Sequence, residues 1–192
     1  VLCFTVSVSV SSTYEAAKMA AEDLMADRKI TVVDTKSLSI GQGFMALEAA
    51  RVLKAGGSVE QAVEAAQDVC SRTSLYGALS TLRYMAMSGR VSALTAGMAN
   101  MLDIKPILMM RGGKLDLLEK VRTRKKAWER VIELTRETVG KGSIEHLAIL
   151  HVATLEGAHE FERMLRASVP CPDEVLYAEL TPGLSVHTGS GL

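Results

Sequence analysis

The chain has 192 residues, of which 48% are hydrophobic and 23% charged, a composition typical of a globular protein with a packed core rather than a disordered one. Its 22 basic and 22 acidic side chains balance, so no overall field attracts nucleic acid or an anionic surface. The sequence has no CxxC pair, no basic leader and no run of about 18 apolar residues, so we expect a cytoplasmic protein without a zinc ribbon or a transmembrane helix.

The first half of the chain alternates between strand and helix patterns. VLCFTVSVSV alternates apolar and smaller residues, and ITVVD is a short β-branched run, so both predict strands. Ser12 with Glu15, and Ser58 with Gln61, match the capping box that begins a helix. The predicted elements are strand 1–10, a helix from Tyr14, strand 30–34, helix 42–54 and helix 58–70. This order predicts an α/β unit with a parallel sheet.

The second half has a different order of elements. Its predicted elements are helix 93–102, strand 104–110, turn 111–114, strand 115–122, helix 125–139, strand 146–152, helix 156–167, strand 174–180 and a short strand that ends at His187. A hairpin among helices predicts an α+β unit with a mixed sheet. We therefore expect two domains, 1–86 and 87–192.

Several other motifs give weaker indications. His146 and His151 lie on opposite faces of a predicted strand, so they cannot share a metal ion, and we expect no metal site. Gly41 and Gly43 precede a helix, but the third glycine of a dinucleotide loop is absent. The basic stretch 120–130 alternates with apolar residues, so it is more typical of a solvated helix face than of a nucleic-acid site.

The strand-to-helix turn VSVSSTYEAA carries more hydroxyls than a helix cap needs. A helix start has unpaired N–H groups and a positive dipole end, so spare hydroxyls on Ser11 and Thr13 could bind a carboxylate or phosphate there. Simple capping explains the same residues equally well. His187 is at the predicted end of a strand and begins the segment HTGSGL. Its ring nitrogen could face a ligand, or the ring could hydrogen-bond to the backbone, and the sequence leaves both alternatives open.

Five stretches resemble the DegV family in the correct order. SVSVSSTYEAA resembles SSxLSGTYxSA, VVDTKSLSIGQGF resembles VxDSxxxSxGxG, and MAMSGRVS resembles LxxxGRIS. MLDIKPILMMRGGKLDLLEKVRTRKKA resembles LLxIKPILxxxxGxLxxxxKxRxxKKA, and LSVHTGSGL resembles the closing HxGPG loop. Together these stretches extend over essentially the whole chain.

The resemblance implies a specific ligand and a specific role. DegV proteins bind a long-chain fatty acid in an apolar pocket between an α/β and an α+β domain, so the resemblance implies a ligand such as palmitate or oleate. In the better understood members, the bound acid is presented to a separate ATP-dependent fatty-acid kinase that makes the acyl-phosphate, which implies a role in phospholipid synthesis. The resemblance makes Ser11 the hydroxyl donor to the carboxylate, with amides at Ser12 and Thr13 and with His187 nearby. It assigns Arg122 to phosphoryl transfer or to the kinase contact, and it implies no catalysis by this chain and no other cofactor.

The sequence departs from the family pattern at three positions and at its start. Val8 replaces the second serine of the signature, Ser12 its glycine, and Ser190 the proline of the closing loop. The family's leading segment, with its TDS motif and a carboxylate-binding threonine, has no counterpart in this sequence.

The methionines of the second half, Met98, Met101, Met109 and Met110, are expected to line the tail pocket.

Two rival functions are open at this stage. Ser11 with His187 could act as nucleophile and base in a serine-dependent acyl hydrolase or transferase, although no GxSxG elbow is present. Alternatively, the absence of the leading segment suggests a truncated structural remnant.

Overall fold

The computed structural model describes residues 1–24, 28–90 and 104–192. The chain divides into two compact units. One consists of Val1–Leu75 with Met110–Leu115, and the other of Tyr76–Met109 with Asp116–Leu192. The division after Leu75 lies earlier in the chain than the predicted division after residue 86, and a short piece of the hairpin belongs to the first unit.

The first unit is the predicted α/β unit. Its elements are β1 (Leu2–Thr5), α1 (Thr13–Asp23), β2 (Thr31–Asp34), α2 (Ser39–Lys54) and α3 (Val59–Arg72). β1 and β2 are parallel, with Leu2 opposite Thr31 and Thr5 opposite Asp34. The core of this unit forms where α2 and α3 pack on β1, around Met45 and three alanines: Ala49, Ala62 and Ala66. Small side chains let the two helices approach closely.

The second unit contains two separate sheets. Its described elements are β3 (Tyr76–Ala78), α4 (Arg83–Ser88), β4 (Lys105–Arg111), β5 (Lys114–Val121), α5 (Arg124–Val139), β6 (Leu147–His151), α6 (Leu155–Arg166), β7 (Val175–Glu179) and α7 (Pro182–Thr188). The end of β4 and the start of β5, within Met110–Leu115, belong to the first unit. β4 lies between β3 and β5, and β3 and β4 are antiparallel. β6 and β7 form a separate parallel pair. The predicted mixture of parallel and antiparallel strands is therefore confirmed.

The helices of the second unit cover these strands through two apolar clusters. Ile107 of β4 packs against α5 through Ala127 and Val131. Ile132 of α5 packs against Leu165 of α6. Within the described part of the chain, no helix is long and apolar enough to cross a membrane.

Three local predictions were wrong. Ser12 is the N-cap residue of α1, but its side chain makes no capping bond, so the Ser12–Glu15 box does not form. Gly41 and Gly43 lie inside α2 rather than in a loop before it. A side chain at Gly41 would collide with the Ser37 hydroxyl, so glycine at this position lets the segment before α2 pack against the helix. His187 lies in the last turn of α7, not at a strand end.

The helical conformation of 182–188 has a local cause. Pro182 occupies the first turn, where its fixed φ favours a helix and its missing N–H costs nothing. The amides of Leu184 and Ser185 both donate to the Thr181 carbonyl at 2.9 Å. The alternation of Leu184 and Val186 is typical of a strand, but the backbone hydrogen bonds to Thr181 make this segment helical. The predicted helix 93–102 lies outside the described residues.

The capping box of α3 provides a test of this fold. The Ser58 hydroxyl accepts from the Gln61 amide at 3.2 Å, and the Gln61 side chain accepts from the Ser58 amide at 2.8 Å. We expect Ser58→Ala to lower the free energy of unfolding by about 1 kcal/mol in urea titrations, because the Gln61 amide loses its acceptor. Ser12→Ala is the matched control, since Ser12 is an N-cap without a capping bond. Equal losses in the two variants would contradict these assignments.

Candidate functional site

The candidate site is the serine turn, residues 6–12, which joins β1 to α1. The Ser7 carbonyl accepts hydrogen bonds from the amides of Val10, at 3.0 Å, and Ser11, at 3.1 Å. These two bonds fold the turn back on itself and place Ser11 directly before the first turn of α1. The side chain of Ser11 is therefore fixed at the positive end of a helix of 11 residues.

The hydroxyls of Ser11 and Thr13 form a close pair. Their oxygens are 2.6 Å apart, and the Ser11 oxygen also accepts from the Thr13 amide at 3.2 Å. Only one of the two hydroxyl protons can lie between the two oxygens. Whichever group donates, the proton of the other hydroxyl points elsewhere. Since the pair is at the protein surface, one hydroxyl proton is left for an external acceptor.

The backbone around this pair is also partly unsatisfied. Ser12 is exposed, and its amide has no acceptor among the described residues. The Thr13 amide, in contrast, donates to the Ser11 hydroxyl oxygen at 3.2 Å. One hydroxyl proton of the Ser11–Thr13 pair and the Ser12 amide therefore have no acceptor among the described residues. Two donors at a helix start suit one carboxylate or phosphate oxygen pair.

The Asp34 carboxylate hydrogen-bonds to the start of the serine turn. One Asp34 oxygen accepts from the amides of Val8, at 3.3 Å, and Lys36, at 3.0 Å. These bonds tie the carboxyl end of β2 to the start of the serine turn. The Asp34 charge is thereby used to hold two loops together.

His187 lies in the second unit, half-buried in the last turn of α7. Burial lowers the pKa of its imidazole, and the positive charge of Arg90 lowers it further. The ring is therefore neutral at physiological pH, with one nitrogen that donates and one that accepts. Sequence reasoning left the ring's partners open, and the placement of His187 in a helix rather than at a strand end does not decide them.

The closing loop after His187 is anchored at both glycines. Gly189 has φ of +73°, and a Cβ there would lie 2.4 Å from the ring of Tyr84, so only glycine fits. The carbonyl of Gly191 accepts from the Ser80 hydroxyl at 2.7 Å, and its amide donates to Val152 at 3.2 Å. The loop is thus a packed element of the second unit rather than a phosphate-binding glycine loop.

Arg122 is exposed between β5 and α5, also in the second unit. Thr123 next to it caps α5 by accepting from the Lys126 amide at 3.2 Å. The guanidinium carbon of Arg124 lies over the Trp128 ring, 4.7 Å from the ring centre. Lys125 and Lys126 are exposed, as expected of a solvated helix face. This stretch places four cations beside one another with no acidic residue in the first turn of α5.

The other histidines and the methionines proposed from the sequence differ in burial. His146 and His159 are exposed, whereas His151 is buried and its Nδ1 has no hydrogen-bond partner in the described structure. The described residues contain no group of three or more His, Cys, Asp or Glu side chains that could hold a metal ion. Met109 and Met110 are half-buried in β4. Met98 and Met101 lie outside the described residues.

The structure thus groups Ser11, Ser12 and Thr13 in one turn of the first unit, and His187 and Arg122 belong to the second. The two described partners of the Ser11 hydroxyl are both on Thr13.

The sequence and the fold were compared with known proteins. A model of the DegV family, described as uncharacterised proteins, matches residues 1–192. A DegV domain-containing protein of Streptomyces coelicolor is 36% identical over 186 residues, which cover 97% of this chain and 65% of that protein. The chain therefore spans about two thirds of the length of that curated relative.

Solved structures of the family have the same fold. A DegV family protein of Corynebacterium glutamicum matches with a TM-score of 0.89 and 31% identity, covering 99% of this chain and 71% of that one. A fatty-acid-binding DegV family protein of Streptococcus agalactiae matches with a TM-score of 0.86 and 25% identity, over 99% and 66% of the two chains. A Ruminococcus gnavus DegV family protein, solved with vaccenic acid, matches at 0.85 and 26%, over 99% and 68%. On the family match and these likenesses together, the chain belongs to the DegV family.

Proposed function

We propose that this chain binds a long-chain fatty acid, with the carboxylate at the serine turn, and that it presents the acid to an ATP-dependent fatty-acid kinase. The observation that carries the proposal is the Ser11–Thr13 hydroxyl pair, which leaves one proton for an external acceptor at a helix start. The fatty acids in solved DegV relatives supply the ligand class.

The chemistry of the turn suits a carboxylate. A hydrogen bond to an ionised acceptor contributes about 1.5–3 kcal/mol, roughly twice a neutral one. The hydroxyl proton and the Ser12 amide can each donate to one carboxylate oxygen. The positive end of α1 adds a smaller attraction of about 0.3–1 kcal/mol.

The acyl tail supplies the rest of the affinity. Each buried CH₂ contributes about 0.8 kcal/mol, so the tail outweighs the head group in binding energy while the head group fixes orientation. We propose palmitate or oleate as the ligand, a cytoplasmic location and a role in supplying acyl groups for phospholipid synthesis.

His187 completes the proposed carboxylate site by family resemblance. Because its pKa is lowered by burial and by Arg90, its imidazole is a neutral donor at pH 7 rather than a permanent cation. A neutral donor orients a carboxylate without a strong charge attraction, which allows the acyl-phosphate product to leave.

In this proposal the chain performs no covalent chemistry. The kinase brings ATP, and Arg122, exposed among other cations, contacts the kinase or the phosphate being transferred. A serine-directed fluorophosphonate should therefore leave Ser11 unlabelled. Stoichiometric labelling at Ser11 would instead support an acyl hydrolase or transferase.

Binding can be measured directly on the purified protein. We expect an organic extract to contain a long-chain fatty acid by mass spectrometry, and delipidated protein to melt at a higher temperature with added palmitate, because the ligand binds only the folded state. Ser11→Ala should weaken palmitate binding roughly 10- to 100-fold, since a donor to a charged acceptor is lost.

Ser9→Ala is the matched control for this substitution. Ser9 is an exposed serine of the same turn, and its side chain makes no bond in the described structure. It should bind palmitate like the unaltered protein. Equal affinity in Ser11→Ala and Ser9→Ala would contradict the proposed carboxylate site.

The protonation of His187 gives a pH test. Its folded pKa lies below the ordinary value of 6.5, so the unfolded chain binds the proton more tightly. Its contribution to stability is therefore complete above pH 6.5 and is lost as pH falls through the folded pKa. NMR titration should give a His187 midpoint below 6.5, and Arg90→Ala should move that midpoint upward. A midpoint above 6.5 would contradict the description.

Arg122 is tested with the kinase present. We expect Arg122→Ala to reduce acyl-phosphate formation roughly 10- to 100-fold, because a charged contact to a phosphate or carboxylate is lost, with palmitate affinity unchanged. Lys125→Ala, an exposed cation three residues further along, should act like the unaltered protein. A loss of palmitate affinity in Arg122→Ala, or unchanged turnover, would exclude the proposed role.

A further inference from the structure

We propose that Ser7 is a positioning residue of the carboxylate site and that the tip of the β4–β5 hairpin, Gly112–Gly113, holds it in place. The inference rests on the proposed function and adds to it the residues that fix where Ser11 stands. Neither Ser7 nor the hairpin tip contacts the ligand in this proposal.

Ser7 is fully buried, and every polar atom it has is bonded. Its amide donates to the Ser37 carbonyl at 2.9 Å, and its hydroxyl donates to the Gly113 carbonyl at 2.5 Å. The same hydroxyl oxygen accepts from the Ser9 amide at 3.3 Å. Its carbonyl accepts from Val10 and Ser11. One small residue thus joins the loop after β2 through its amide, and the serine turn and the hairpin tip through its hydroxyl.

The bond to Gly113 links positions 106 residues apart in the sequence. Gly113 has φ of +83°, and a Cβ there would lie 3.1 Å from the Ser7 hydroxyl and 3.4 Å from Cβ of Lys36. The glycine is therefore required twice, for the backbone conformation and for the close approach. Gly112 has φ of +56° but open space around it, so it serves only the hairpin turn.

The consequence for Ser11 follows from the shared carbonyl. Ser11 is held by the hydrogen bond from its amide to the Ser7 carbonyl. Ser7 is held in turn by the hydrogen bond from its hydroxyl to the Gly113 carbonyl. Without the Ser7 hydroxyl, the buried Gly113 carbonyl and the Ser9 amide both lose their partner, and the turn is free to shift. A donor displaced by a fraction of an ångström no longer points at the carboxylate, while the apolar tail is unaffected.

The experiment compares an acid with its ester. Affinities for palmitate and for methyl palmitate, which has the same tail and no charge, are measured with Ser7→Ala and with Ser9→Ala as control. We expect Ser7→Ala to bind palmitate roughly tenfold more weakly and methyl palmitate within about twofold of the unaltered protein. Amide hydrogen exchange at Ser11 should be faster in Ser7→Ala than in Ser9→Ala, both without ligand.

A second pair of variants approaches the same bond from the hairpin. Gly113→Ala places a methyl group against the Ser7 hydroxyl, whereas Gly112→Asn keeps a residue that tolerates the turn conformation. Gly113→Ala should reproduce the selective loss of palmitate affinity, and Gly112→Asn should not. This pair decides the question if Ser7→Ala does not fold.

The outcomes separate this inference from the proposed function. A parallel loss for acid and ester in Ser7→Ala would show a merely structural role and overturn the inference. So would unchanged palmitate affinity in Ser7→Ala and Gly113→Ala when Ser11→Ala is impaired. If Ser11→Ala itself binds palmitate normally, the proposed carboxylate site fails, and the positioning role fails with it.

Discussion

The serine turn must satisfy two opposing demands: every buried polar atom in it needs a partner, yet one donor at its surface must stay without one. Ser7 meets the first demand by pairing its amide, carbonyl and hydroxyl with the loop after β2, the hairpin tip and the rest of its own turn. Ser11 and Thr13 meet the second, because two hydroxyls that bond each other leave one proton over. An unpaired buried group costs about 1–3 kcal/mol, so the donor can be kept only at the surface, where water replaces the ligand.

The second unit carries the other residues assigned by resemblance, and its chemistry differs. His187 is neutral because burial and Arg90 both oppose its protonation. Arg122 is an exposed cation in a basic stretch that continues through the cap of α5 into its first turn. In the proposed division of labour, neutral donors bind the ligand and permanent charges contact the kinase.

Much of the fold could be predicted because the signals were local. The capping box at Ser58 and Gln61 and the β-branched strand 31–34 depend on residues close in sequence, and both formed. The local signal at Ser12 and Glu15 was misleading, because the Ser12 side chain makes no capping bond. The neighbouring Ser11 hydroxyl instead accepts from the Thr13 amide.

The rest depended on contacts that no local pattern contains. Ser7 looked like one serine among four, and its importance comes from Gly113, whose carbonyl accepts from its hydroxyl although it lies in a hairpin 106 residues further along the chain. His187 looked like a strand end until the Thr181 carbonyl bonds made the segment helical. The family motifs identified the ligand-facing serine but not the residues that support it.

The most direct test of the central claim is the ¹³C NMR signal of palmitate labelled at its carboxyl carbon and bound to the protein. If the serine turn holds the carboxylate, the bound signal should differ from that of free palmitate and should shift in Ser11→Ala but not in Ser9→Ala. A bound carboxyl signal that is identical in the unaltered protein and in Ser11→Ala would show that the carboxylate lies elsewhere and would contradict the account.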